Sequence, residues 1–458
     1  MVRIMILDAI RPQYVTDHPN DIIRLFDEQD IELRCPSQGI LFGRGGIEFR
    51  WSPNRSLHFE LSNNLKRETL KLISGNWQDA ILNVPTDPPI SLDVLVNGSS
   101  LSLNSAEQKG TLRGLVSETR FDREILCDEI KFHIANLHNY FGNIIKYPPR
   151  DSWQSSARRR IALSDDNWEF TIDGVENLED LLKELSREGG YAITHAGVLR
   201  KRDNQPFKAE EALEQIKLLG FFLSFVEGRY CHPIFLIGLR KSEIVFRDLS
   251  ARHRISQWDN NWRWSPSNAC DLDLAYKGFV LKWNDPQWKE TITLILEFYI
   301  RANTYHVVEL SILDSFMALD RLASGYSLEN VRMASDRIRQ ALSMAGLDTK
   351  SPHTDLCQFF NDFYRRNGTG KTADGATILT DFRHGVVHGN GDKLNRPKLD
   401  EDGDSTNPVL PFPLRRYAQD YGLWCVEMSV LYLIGYNGRY NDRITRAQDV
   451  PIYSQIDD

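Results

Sequence analysis

The residues of this sequence best suited to chemistry are an arginine and two histidines close together near position 385. The segment DFRHGVVHGN, residues 381–390, contains Arg383, His384 and His388. Histidine exchanges a proton near neutral pH, and a guanidinium keeps its charge and binds phosphate through two parallel hydrogen bonds. RNA cleavage without a metal requires both: a proton carrier for attack by the 2′-hydroxyl and a cation for the negative phosphorane. The expected products are a 2′,3′-cyclic phosphate and a 5′-hydroxyl.

The spacing of Arg383 and His388 determines how they can meet. Apolar residues at three- and four-residue spacing predict a helix over residues 376–387. At about 100° per residue, the two side chains would lie about 140° apart on a straight helix. Gly389 is typical of a residue just past a helix end, so the helix can stop near residue 387 and let His388 turn toward Arg383. One copy of His388 supplies only one proton carrier, and a two-fold homodimer would bring a second copy to the same cleft.

A run of amphipathic helices surrounds this segment. Helical periodicity begins at Trp288 and continues to the end of the chain, which predicts a helical bundle. The predicted helices cover residues 288–303, 305–324, 327–345, 354–366, 376–387 and 414–436. Residues 398–413 are rich in proline and acidic residues and are predicted to be a loop.

The first half of the chain has the pattern of β structure. Apolar and polar residues alternate over residues 39–61, and Gly43–Gly46 is interpreted as a hairpin turn within that run. The pair Asn97-Gly98, between two more alternating runs, predicts a second hairpin. From residue 178 onward strands and helices alternate, with helices predicted over residues 178–188 and 209–226.

These patterns predict a multidomain α+β protein. We expect a β-rich domain over residues 1–150, a mixed α+β domain over 151–286, and an all-α bundle over 287–458 that carries the Arg-x4-His motif. We find no internal repeat.

Composition excludes several classes of protein. The formal net charge is −8 over 458 residues, which disfavours a protein that coats long stretches of duplex and favours local nucleic-acid contacts in a cleft. The six cysteines are far apart and form no zinc motif, so neither a metal nor a cofactor is predicted. No segment resembles a signal peptide or is apolar for long enough to span a bilayer, which predicts a cytoplasmic protein with no membrane contact.

DFRHGVVHGN within a C-terminal helical bundle resembles the HEPN superfamily of metal-independent ribonucleases, over roughly residues 288–458. The resemblance implies catalytic roles for Arg383 and His388. His384 stands where the family commonly has Asn or Asp, and it is either a second proton carrier or a hydrogen-bonding neighbour. An acidic residue often occupies the place of Asp320 in the family, which implies a supporting role.

The whole layout is similar to ApeA-like abortive-infection proteins that act against phage. That similarity implies a homodimeric endoribonuclease that cleaves tRNA or mRNA, gated by the N-terminal region through a phage-derived or other activating ligand. The alternative is a non-catalytic HEPN-fold module that dimerises and binds a partner or ligand.

Basic and polar residues near the motif are candidates for binding the RNA backbone. Arg365, Arg366 and Lys371 precede the motif, and Asn390 ends it. The string NGTGKT, residues 367–372, lacks the first glycine and the preceding strand of a phosphate-binding P-loop, so we interpret it as a flexible loop.

Overall fold

The computed structural model of this chain describes residues 7–52, 55–64, 79–104, 107–148, 155–250, 254–304, 307–349, 353–387 and 411–452. The chain divides into two compact units. The first comprises Met1–Gly220 and Cys231–Asn260, and the second comprises Phe221–Tyr230 and Asn261–Asp458. The expected combination of a β-rich N-terminal region and a helical C-terminal region is confirmed.

The first unit contains two sets of strands and a few helices. In chain order the strands are β1 (Leu7–Asp8), β2 (Ile23–Cys35), β3 (Gly39–Arg50), β4 (Ser56–Asn64), β5 (Ala80–Val84), β6 (Ile90–Asn104), β7 (Glu107–Arg120), β8 (Leu126–Cys127), β9 (Glu129–Ala135), β10 (Asn143–Lys146), β11 (Ser156–Ser164), β12 (Trp168–Gly174), β13 (Ile193–Lys201), β14 (Phe207–Lys208), β15 (Pro233–Arg240) and β16 (Glu243–Asp248). Helix α1 is Leu178–Glu188, and α2 is Ala209–Glu227, of which only the part up to Gly220 belongs to the first unit.

Strands β2 to β7 form a closed antiparallel barrel in the order β2-β3-β4-β7-β6-β5. Alternation of apolar and polar residues produces it, because successive side chains of a strand point to opposite faces. In β5, for example, Ala80, Leu82 and Val84 are buried while Ile81 and Asn83 between them are partly exposed. Pairing of β2 with β5 at Glu32, Leu33 and Arg34 closes the barrel.

Two turn predictions in the barrel are wrong. Gly43–Gly46 lies inside β3, and Asn97-Gly98 lies inside β6, where the register with β7 shifts between Val96 and Gly98. Glycine within a strand marks a bulge or a close approach of another backbone. At Gly45 a Cβ atom would lie 1.9 Å from the main-chain oxygen of Glu60, so the glycine there permits β3 and β4 to approach.

The remaining large sheet has eight strands in the order β1-β10-β11-β12-β13-β9-β15-β16. Strand β1 is parallel to β10, and the other pairs are antiparallel. The sheet therefore takes strands from both sides of residue 150. Leu178, Leu181 and Leu185 of α1 are buried against Val175, Ala192 and Trp258, as the helical spacing of the leucines indicates.

A buried histidine in this sheet makes the stability of the first unit depend on pH. His133 on β9 is 1% exposed, and its Nε2 accepts the main-chain N–H of Gln13 and Tyr14 at 3.0 and 3.1 Å. Burial lowers the pKa of His133 from 6.5 to about 4. Between those values the unfolded chain binds a proton that the folded chain does not, so acid favours unfolding.

We expect the free energy of unfolding to fall by about 3 kcal/mol as the pH is lowered from 6.5 to 4, on account of His133 alone. Urea unfolding at a series of pH values measures this, and His133→Gln, which keeps an acceptor, should remove this part of the pH dependence. An equal pH dependence in wild type and variant would contradict the assignment.

The second unit is built from helices. They are α3 (Ala269–Trp283), α4 (Lys289–Thr304), α5 (Val308–Gly325), α6 (Ala334–Met344), α7 (Thr354–Arg366), α8 (Gly375–Val387) and α9 (Phe412–Leu433), followed by the short strands β17 (Arg439–Tyr440) and β18 (Val450–Pro451). Helix α5 packs against α4, α6, α8 and α9. Ile312, Phe316, Leu319 and Leu322 form one buried apolar stripe of α5, and the small residues Ser311, Ser315 and Ala318 beside it are buried as well. Within the described ranges every helix is too short or too polar to cross a lipid bilayer.

Candidate active site on helix α8

Helix α8, which carries the first part of the motif, is anchored firmly at its N-terminus. Asp374 accepts the main-chain N–H of Thr377 at 2.8 Å and donates its own N–H to the Thr377 hydroxyl at 2.9 Å, an N-terminal cap. Arg339 of α6 donates to the Asp374 carboxylate at 2.7 Å. At Gly375 a Cβ atom would lie 1.9 Å from the Tyr421 hydroxyl of α9, so glycine permits the close approach of these two helices.

Arg383 lies half-buried in the last turns of α8. Its guanidinium carbon is 5.7 Å from the ring centroid of Phe316 on α5, a cation–π arrangement. The Nε atom is buried and makes no hydrogen bond with any described residue. Since a buried charged donor without an acceptor is costly, Arg383 is well suited to bind an anion.

Asp381, two residues before Arg383, connects α8 to the preceding loop. Its carboxylate accepts the Tyr364 hydroxyl at 2.7 Å and the Lys371 ammonium at 3.0 Å. Burial, and after it the Asp381 charge, raises the pKa of Tyr364, so Tyr364 remains a proton donor to the carboxylate. The ion pair of Lys371 with Asp381 therefore connects the loop of residues 367–372 to α8.

The other predicted site residues lie on α5, on α7 or beyond the described end of α8. Asp320 of α5 forms an ion pair with Arg337 of α6. Arg365 and Arg366 are exposed at the end of α7, and Arg365 pairs with Asp362 at 3.2 Å. His388 and Asn390 lie outside the described residues.

His384 is exposed on α8, three residues after Asp381 and therefore on the same side of the helix. The roles of Asp381, Tyr364 and Phe316 were not foreseen from the sequence. A signal for Asp381 exists, because an acid three residues before a histidine on a helix can contact it. Phe316 and Tyr364 lie on other helices, so the sequence around the motif contains no indication of them.

The loop of residues 367–372 follows α7 and precedes α8, without the strand that leads into a P-loop. Gly368 and Gly370 have φ values of 59° and 66°, which glycine adopts easily. Among the described residues no three His, Cys, Asp or Glu side chains form a group that could hold a metal ion.

Comparison with known proteins gives two domain matches and a full-length relative. Residues 122–261 match the model of the YopA central domain, and residues 285–452 match that of the YopA C-terminal domain. The chain is similar to the SPbeta prophage-derived uncharacterized protein YopA of Bacillus subtilis strain 168. The two are 25% identical over 421 residues, which cover 87% of each chain. No solved structure matches the chain. The second domain match includes α4 to α9 and hence the whole candidate site.

Proposed function

We propose that this protein is a metal-independent endoribonuclease of the HEPN type, with Arg383 and His388 as catalytic residues. One observation carries the proposal. Arg383 presents a guanidinium with a buried Nε that no described residue accepts, close to the last described residues of α8. A helix that stops before Gly389, as a glycine there favours, would permit the convergence of Arg383 and His388 that a continuous helix would prevent.

In this proposal Arg383 binds the scissile phosphate and the extra negative charge that develops on it. His388 removes the proton of the 2′-hydroxyl or protonates the leaving 5′-oxygen. Phe316 supports the guanidinium from one side, and the apolar surroundings strengthen its attraction for a phosphate. His384 is exposed on the same helix and is the remaining candidate for a proton carrier.

The need for two proton transfers favours a homodimer, and an apolar surface on the helical unit fits a second copy of the chain. Val307, Leu310 and Phe412 are 50%, 41% and 61% exposed. Val307 and Leu310 lie within two residues of Glu309, and Phe412 lies three residues before Arg415. The carboxylate of Glu309 and the guanidinium of Arg415 form an ion pair of 2.8 Å that joins α5 to α9. A self-complementary contact there would use the helical unit for dimerisation, as a two-fold interface requires.

The name of the relative from Bacillus subtilis describes it as prophage-derived. This supports a setting in the conflict between phage and host, with tRNA or mRNA as substrate. An unrestrained ribonuclease is toxic to its own cell, so we propose that the N-terminal unit restrains it until an activating ligand binds.

The test is cleavage of tRNA and mRNA by the purified full-length chain in excess EDTA, with and without extract from phage-infected cells. We expect cleavage that leaves a 2′,3′-cyclic phosphate and a 5′-hydroxyl, and a rate per chain that rises with protein concentration if the active form is a dimer. His388→Ala should abolish it. The matched control is His18→Ala, which removes an exposed histidine of the first unit that pairs with Glu184.

Cleavage that His388→Ala leaves unchanged would come from a contaminant and would contradict the proposal. The absence of cleavage by the wild type in every condition would also contradict the proposal and would favour a non-catalytic dimerisation and binding module.

A further inference from the structure

The barrel of the first unit carries a long groove formed by two adjoining cavities. One, of about 650 Å³, is lined by residues of β2, β3, β4 and β7. The other, of about 920 Å³, is lined by residues of β2, β3, β4 and β5, with Pro85 and Pro89 beyond β5. Both are lined by Glu28, Arg44 and Ser62, so they form a continuous depression across the strands.

Irregular pairing and glycine produce this groove. Phe26 pairs with Ile47 and Gln29 pairs with Gly45, so two residues of β2 lie opposite the single residue Gly46. Such a bulge bends the strand and increases its twist. At Gly46 a Cβ atom would lie 2.9 Å from the main-chain oxygen of Phe26, so glycine permits the bulged part of β2 to approach β3 there.

Negative charge exceeds positive charge along the groove, because its lining contains six carboxylates and four arginines. Arg50 pairs with Glu48, and Arg113 pairs with Glu60. Exposed carboxylates remain on the bulged part of β2, and none of them pairs with a cation among the described residues: they belong to Asp27, Glu28 and Asp30. The arginines of the lining that pair with no described carboxylate are Arg24 and Arg44, so three such carboxylates face two such cations.

Arg44 lines both cavities, and its guanidinium forms no ion pair with Asp27, Glu28 or Asp30. Its Nη2 donates to the main-chain oxygen of Glu28 at 3.4 Å. It lies opposite Asp30 in the strand register, and no ion pair forms between them. The groove therefore keeps an excess of negative charge, which favours a basic ligand over an acidic one.

Apolar surface lies beside the carboxylates. Phe42 is 62% exposed and lines the larger cavity together with Val84, Pro85 and Pro89. Phe26 lines the smaller one and is half-buried. An exposed aromatic ring next to unpaired charges is typical of a surface that a partner covers.

We propose that this groove binds an extended polypeptide segment in which basic and apolar residues alternate. Successive side chains of an extended chain point to opposite sides and repeat every ~7 Å on each side. Basic side chains would reach Asp27, Glu28 and Asp30, while apolar ones lie against Phe42 and the prolines. The occupant is a separate chain, and the inference does not depend on the ribonuclease proposal because it is measured through peptide binding alone.

The test uses the full-length protein and fluorescein-labelled octapeptides of alternating lysine and valine, of glutamate and valine, and of serine and valine. Fluorescence anisotropy should show that the lysine peptide binds at least tenfold more tightly than the other two. Replacement of the carboxylates by Asp27→Asn, Glu28→Gln and Asp30→Asn together should weaken this binding at least tenfold. All three residues are exposed, so the melting temperature should not change.

The matched control is Asp166→Asn, Glu169→Gln and Asp203→Asn, which makes the same change in net charge at exposed carboxylates elsewhere on the first unit. It should bind the lysine peptide as wild type does. Phe42→Ser should weaken binding without changing the preference for lysine. Equal binding of the three peptides, equal loss in the control, or tighter binding of an oligouridine than of the lysine peptide would overturn the proposal.

Discussion

Replacing Arg383 with alanine is expected to lower the rate of RNA cleavage by about 10²–10³-fold, the usual effect of removing one donor that stabilises a transition-state anion. The reason is the position of the guanidinium, half-buried over Phe316 with an Nε that no described residue accepts. Arg383→Lys keeps the charge and loses the planar pair of donors, so it should recover only part of the activity.

The fold should survive both changes, because Arg383 contributes no hydrogen bond at Nε and its contact with Phe316 is worth about 1 kcal/mol. Arg321→Ala is the matched control, since Arg321 is an exposed arginine of α5 in the same unit. Initial rates under single-turnover conditions, together with melting temperatures, measure the effect. Full activity in a folded Arg383→Ala variant would remove Arg383 from the mechanism.

Much of the helical unit was predictable from sequence because its helices are amphipathic, but α3 (Ala269–Trp283) lies before the predicted start at Trp288. The prediction of a helix over residues 354–366 is confirmed by α7, and the predicted start at residue 376 is confirmed by α8 to within one residue. The predicted start at residue 327 is wrong, and α6 begins at Ala334. Periodicity determines the buried face of a helix more strongly than it determines the end.

The barrel was less predictable because strand pairing joins distant segments. Alternation identified β structure but did not reveal that β4 pairs with β7 across residues 65–106. Glycine, the usual signal of a turn, here marks bulges and close approaches within β3 and β6. Those uses depend on the neighbouring strand, which the local sequence does not specify.

In the candidate site, too, the local sequence feature was predictable and the contacts from distant segments were not. The motif itself is local and was found from residue types and spacing. Its surroundings are not local: Phe316 lies on α5, and Asp381 receives hydrogen bonds from Tyr364 on α7 and from Lys371 in the following loop. Lys371 was predicted as a phosphate contact, and its ion pair with Asp381 suggests that it also orders the loop beside α8.

Replacing Glu427 with alanine is expected to destabilise the helical unit by about 3–5 kcal/mol, as is usual when one partner of a buried ion pair is removed. Glu427 and Arg443 are 1% and 3% exposed. Arg443 donates to the Glu427 carboxylate through Nη2 at 2.6 Å, and the Tyr299 hydroxyl donates to the same oxygen at 2.9 Å. Without Glu427 the guanidinium would remain buried with too few acceptors.

The nearby acid is too far away to take the place of Glu427 fully. Asp420 Oδ1 lies 3.8 Å from Arg443 Nη1, beyond hydrogen-bond distance, and Asp420 Oδ2 accepts a hydrogen bond from Arg446 at 2.6 Å. Asn303 accepts one further N–H of Arg443 at 2.8 Å and carries no charge. The loss in Glu427→Ala should therefore be close to that of an isolated buried charge.

A double variant separates the cost of an unpaired charge from the value of the pair itself. Glu427→Leu with Arg443→Met removes both charges and fills much of the space, and replacement of a buried pair by apolar residues is often neutral or stabilising. We expect the double variant to recover most of the stability lost in Glu427→Ala. Urea unfolding followed by tryptophan fluorescence measures both, with Lys183→Ala at the exposed Asp180 pair as a control that should change stability by less than about 1 kcal/mol. If Glu427→Ala costs as little as that surface control, water reaches Arg443 and the pair is not the buried cross-link between α9 and the C-terminal segment that its geometry indicates.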